Sequence, residues 1–71
     1  MNTTAEQEAV VLAAIDRAVR EGLGTHTGSI CAIIRQSGVE GFTESKTARI
    51  LTEMKKKGLV RTYAYSGWGR P

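Results

Sequence analysis

The stretch TESKTARILTEMKKKGLVR, residues 43–61, constrains the fold of this chain more than any other. Thr43 can cap a helix, because its hydroxyl can accept a hydrogen bond from a backbone N–H left without a partner in the first turn. Thr47, Leu51 and Met54 recur at helical spacing and give a core face, with Ile50 on its flank. Lys55, Lys56 and Lys57 crowd the last turn, where the helix dipole is negative, and Gly58 suits the left-handed closing position. The opposite face carries Glu44, Ser45, Ala48, Arg49 and Thr52, a short polar strip with one long fork-shaped donor suited to a narrow polar groove.

At 71 residues the chain makes one domain, 1–71, barely large enough to bury its own core. One cysteine, Cys31, excludes an internal disulfide, and one histidine beside it leaves no ligand set for a metal. No apolar run approaches the roughly 20 residues that span a bilayer. The beginning, MNTTAEQEA, is polar and acidic and lacks the order of a secretory signal, so a reducing cytoplasm is the expected compartment. Charge is unevenly divided. Residues 1–24 hold Glu6, Glu8, Asp16 and Glu21 against Arg17 and Arg20, a net of −2; residues 25–71 hold eight Lys or Arg against Glu40, Glu44 and Glu53, a net of +5. A two-sided molecule of this kind favours a polyanionic partner. Enzyme chemistry finds little footing: no nucleophile, base and acid fall into a local motif, and no glycine loop is set out for phosphate. No cofactor is expected.

Three helices can be read along the chain. The first starts at Thr3 or Thr4, each three residues ahead of Glu6 or Gln7, a capping-box spacing. Val11, Leu12, Ile15, Ala18 and Val19 form its apolar stripe, and Gly22 or Gly24 closes it near Glu21. Leu23 to His26 can supply one brief strand. Thr27 caps a second helix with Ile30, Ile33 and Ile34 on one side and Gly38 at its end. Residues 39–42 turn, with Val39 and Phe42 tucked inward, and the helix at 43–57 follows. Leu59 to Tyr65 is rich in β-branched and aromatic residues and reads as a strand, Ser66-Gly67 as a tight turn, and Trp68 to Pro71 as the start of the return strand.

The order helix, short strand, helix, turn, helix, hairpin resembles the winged helix-turn-helix fold of small DNA-binding regulators, from about Ala9 to Arg70. The most specific part is a capped short helix ending at Gly38-Val39, then a longer helix ending in the basic run Lys55-Lys56-Lys57 and Gly58-Leu59-Val60. The resemblance implies a mainly α domain with a small β-hairpin wing. Two departures stand out: the turn 39–42 is longer than in the tightest versions, and the wing, 59–71, is short, either minimal or cut from a longer protein. The resemblance further implies that the third helix enters the major groove, its N-terminal residues nearest the bases. Arg49 is then the first candidate for base reading, since its fork can bond guanine O6 and N7 together. Ser45 would meet a base edge or phosphate, Ala48 would admit a thymine methyl, and Thr52 completes the strip. Lys46 flanks it for phosphate, and Lys56, Arg61 and Arg70 are candidates for the backbone and, through the wing, the minor groove. The start of the second helix, Thr27 to Ser29, offers N–H groups to a phosphate oxygen. With about four to six phosphates neutralised, log K should fall against log salt with a slope of roughly −4 to −5.

Each of these residues also has a plainer reading. Lys55 to Lys57 suit any solvated helix end, Arg49 can pair with Glu53 at i, i+4, and Arg61 and Arg70 can be strand-edge charges. Tyr63 and Tyr65 share a face and can cover the third helix as core. Trp68 packs under the first helix, contacts a sugar, or sits in a partner interface. Cys31 reads as a small buried hydrophobe and His26 as a strand or loop residue. The expected function is sequence-specific binding of double-stranded DNA for transcriptional regulation, in a cytoplasmic, nucleoid-associated protein able to act as a homodimer. The alternative is a winged-helix assembly module in a larger complex, using exposed residues such as Val10 and Trp68. RNA is a further polyanion for the same face, though no aromatic pair is set out for stacking bases. The DNA site, the sense of regulation and any small-molecule effector are not written in the sequence.

Overall fold

Each helix of the computed structural model, which describes residues 3–64 and 67–71, begins at a side chain that accepts one of its free N–H groups. α1 (Ala5–Glu21) starts at Thr4, whose hydroxyl accepts from Gln7 N–H while the Gln7 side chain accepts from Thr4 N–H, a complete capping box. α3 (Glu44–Lys56) starts at Thr43, which accepts from Lys46 N–H at 3.1 Å. α2 (Thr27–Gln36) departs from expectation: its cap is His26, whose Nδ1 accepts from Ser29 N–H, and Thr27 is the first helical residue. The hydroxyl of Thr27 is engaged elsewhere, accepting from the indole N–H of Trp68 at 3.1 Å.

Glycine ends every helix. At Gly38 (φ 82°) and Gly58 (φ 78°) the backbone is left-handed, which an L side chain resists. There the N–H groups of Gly58 and Leu59 return to Lys55 and Met54, and those of Gly38 and Val39 to Arg35 and Ile34, satisfying carbonyls that the helix leaves free.

The three helices enclose one core. Val11, Ala14, Ile15 and Ala18 of α1 meet Ile30, Ile33 and Ile34 of α2 and Ile50, Leu51 and Met54 of α3, with Phe42 and Val60 closing the ends. Cys31 is buried as expected, its thiol donating to the Phe42 carbonyl. Val39 packs partly buried against this cluster. Val19, expected in the α1 stripe, is 67 % exposed. Ala18 beside it is fully buried, so at this turn the stripe is narrower than the periodicity suggests. Val10 is the converse: read as exposed, it lies half-buried against the core.

A two-stranded antiparallel hairpin completes the domain, so the chain is a mainly helical fold with a small β-wing. β1 (Arg61–Tyr63) pairs with β2 (Gly67–Gly69) in the register Arg61–Gly69, Thr62–Trp68, Tyr63–Gly67. β1 is shorter than the expected 59–65, because Leu59 and Val60 are spent on closing α3 and filling the core. Leu23 to His26 forms no strand; its Thr25 carbonyl accepts from Trp68 N–H of the hairpin at 2.9 Å. Tyr63 is 47 % exposed rather than core. Tyr65 and Ser66, and with them the expected tight turn, lie outside the described residues.

Candidate nucleic-acid interface

Because Thr47, Leu51 and Met54 are fully buried, the face of α3 opposite to them is turned to solvent. Ser45, Arg49 and Thr52 are exposed along it, with Ala48 half-buried between them. Arg49 forms no ion pair among the described residues: Glu53, its expected i, i+4 partner, accepts instead from Lys56 Nζ at 3.3 Å. Thr52 donates its hydroxyl to the Ala48 carbonyl at 2.9 Å, so only its lone pairs remain for a partner. Ser45 keeps both roles among the described residues.

Cations flank the strip. Lys46 Nζ lies 5.5 Å from the centre of the Phe42 ring, which steadies its stem beside the start of α3. At the far end, Lys55 Nζ donates to Thr62 Oγ1 at 3.4 Å, joining the last turn of α3 to β1. Lys55, absent from the candidates that the sequence offers, is placed by where β1 docks. Arg61 extends from β1 with its guanidinium 4.9 Å from the Tyr63 ring. Ser45, Lys46, Ala48, Arg49, Thr52, Lys56 and Arg61 therefore belong to α3 and the strand that follows it.

Arg70 belongs elsewhere. Its Nε and Nη2 donate to the two oxygens of Asp16 on α1, at 2.8 and 2.9 Å, a bidentate pair. The Arg70 guanidinium holds the Asp16 carboxyl below its ordinary range, and Asp16 raises Arg70 in turn. Lys57 is likewise turned away from α3's open face. It donates to Glu8 Oε2 at 2.6 Å and to Thr3 Oγ1, and the Thr3 hydroxyl itself donates to Glu8 Oε2; the bonds from Lys57, first, and Thr3 hold the Glu8 carboxyl below the usual value. Lys57 and Arg70 are thus spent on joining the basic C-terminal part to the acidic α1.

The start of α2 is more occupied than the sequence suggests. Ser29 N–H is taken by His26, and a Cβ placed on Gly28 would lie 3.4 Å from Glu44 Oε1. A phosphate approaching Thr27 to Ser29 would meet that carboxylate. Among the described residues no three of His, Cys, Asp or Glu gather in one place, and no helix is long and apolar enough to cross a membrane. Neither a family model, a curated protein nor a solved structure matches this chain.

Proposed function

We propose that the chain binds duplex DNA, with α3 seated in the major groove and the hairpin beside the backbone, as in the winged helix-turn-helix regulators that its sequence resembles. One observation carries the reading: Arg49 stands exposed at the middle of a helical face of short polar side chains, with no carboxylate neutralising it among the described residues. A planar donor on a helix with small neighbours can approach a base edge closely, and guanine offers it two acceptors. Lys46, Lys55, Lys56 and Arg61 supply the sequence-independent attraction that positions such a helix. Regulation of transcription in the cytoplasm is the simplest role for such a module.

An NMR titration with short duplexes at two salt concentrations tests the reading. Amide shifts should concentrate in residues 44–56 and in β1, and log K should fall against log salt with a slope of about −4, given four to five cations on this side. Arg49→Ala combined with Lys46→Ala should abolish measurable binding with the fold intact; a contact of the Arg49 kind is worth about 1–3 kcal/mol. A salt-independent affinity, or unchanged binding by that variant, would sink the proposal.

A protein-assembly role is the second reading. Its first candidates, Val10 and Trp68, are both half-buried against the core. The exposed Val19 and Leu23, at 67 % and 43 %, are what favour it.

A further inference from the structure

We propose that the groove between α1 and the β-hairpin binds a small apolar monoanion, a single carboxylate on a hydrocarbon body. The groove holds about 700 Å³, within the roughly 300–1,000 Å³ of small-molecule sites. Ile15 and Trp68 lie toward the core, while Val19 and Tyr63 stand at its open edge. Single exposed hydrophobes need no explanation. Here, however, two of the most exposed large ones line the same concavity.

The polar side of the groove is formed by Asp16, Arg20 and Arg70. Arg70 spends Nε and Nη2 on Asp16, so its Nη1 edge has no partner among the described residues. Arg20 lies one turn beyond Asp16 on α1 and is exposed. It is close enough for its charge to act on that carboxyl, yet it forms no ion pair of its own among the described residues. Two guanidinium groups against one carboxylate leave this rim one positive charge in excess. A ligand carboxylate would accept from Arg20 and the outer edge of Arg70, and its chain would lie over Val19, Tyr63 and Trp68. A cation would be repelled at this rim, and a neutral apolar molecule would leave the excess charge unmatched.

Trp68 is the only tryptophan and lines the groove, so its emission reports occupancy. The probes are hexanoate and hexanamide, which share a hydrocarbon body and differ in charge. Titrated into the full chain, hexanoate should change Trp68 emission saturably and shift amides of α1 and the hairpin. Hexanamide should bind at least about tenfold more weakly, as expected for loss of a charge-assisted hydrogen bond. Arg20→Gln should bring hexanoate down to the level of hexanamide and leave hexanamide unchanged, while Val19→Asn should weaken both. Both positions are exposed, so the variants should fold, and an unchanged amide spectrum outside the groove verifies this. Absence of saturation by hexanoate, equal affinity for the two probes, or shifts mapping away from α1 and the hairpin overturns the proposal. No nucleic acid enters the experiment, so its failure leaves the duplex-binding reading standing.

Discussion

Thr47 is fully buried on the core face of α3, and its hydroxyl donates to the Thr43 carbonyl at 2.7 Å. That carbonyl already accepts from Thr47 N–H at 2.9 Å, so it keeps a partner if the hydroxyl is removed. Thr47→Val removes donor and desolvation cost together, and unfolding in urea should show a change within about 0.5 kcal/mol. Leu51→Ala, one turn on and equally buried, leaves a cavity and should cost about 2–5 kcal/mol. A domain of this size holds roughly 0.05–0.15 kcal/mol per residue, so the second variant should lose a large share of its stability at 25 °C and the first almost none. Both residues were legible as core from spacing alone. The partner of Glu53 was not: Arg49 and Lys56 both lie within its reach on the helix surface, and the choice of Lys56 frees the residue on which the duplex reading depends.

At the scale of elements, the hairpin depends most on its surroundings. Two three-residue strands are not independently stable in water. β2 is held by Trp68, through its backbone N–H to Thr25 and its indole N–H to Thr27. Tyr63 crosses the hairpin to donate its hydroxyl to the Arg70 carbonyl. That crossing explains Gly69, where an added Cβ would lie 2.6 Å from the Tyr63 ring. Gly69→Ala should therefore expel Tyr63 and cost about 1–3 kcal/mol, seen as loss of hairpin amide protection before the helices respond. Combined with Tyr63→Ala, the same substitution should be nearly free, a coupling that a double-mutant cycle measures. The helices, by contrast, were readable because caps and glycine closures act within a few residues. His26 at the start of α2 shows where this fails: three residues ahead of Ser29 it can cap as Thr27 was expected to, and the pull of Trp68 on Thr27 decides between them.

At the scale of the molecule, two ion pairs among the described residues join the acidic first helix to the basic remainder, Glu8 with Lys57 and Asp16 with Arg70. Both carboxyls are held below their ordinary values, so the folded chain binds fewer protons than the unfolded one and stability rises with pH through the window. The contribution is complete above the ordinary values of 4.5 for Glu8 and 3.8 for Asp16 and is lost as pH falls through the lower, folded ones. Thermal midpoints measured from pH 7 to pH 2 should show a steeper acid limb for the natural chain than for Glu8→Gln with Asp16→Asn. Added salt should narrow the difference, because these pairs face solvent.

The amino-acid order by itself determined three amphipathic helices, the caps of α1 and α3, most of the core faces, the polar strip of α3 and the existence of a hairpin. These follow from helical periodicity, from caps that act over three or four residues, and from glycine where the backbone must turn left-handed. Tertiary structure alone decided that Arg70 answers Asp16, that Lys57 answers Glu8 and Thr3, and that Trp68 fastens the wing to α2. Those contacts join residues more than 40 positions apart, and no local period encodes them. They arise only when packing of the three apolar faces brings distant chain segments side by side, and that packing sorts the cations into those consumed within the fold and those left facing outward.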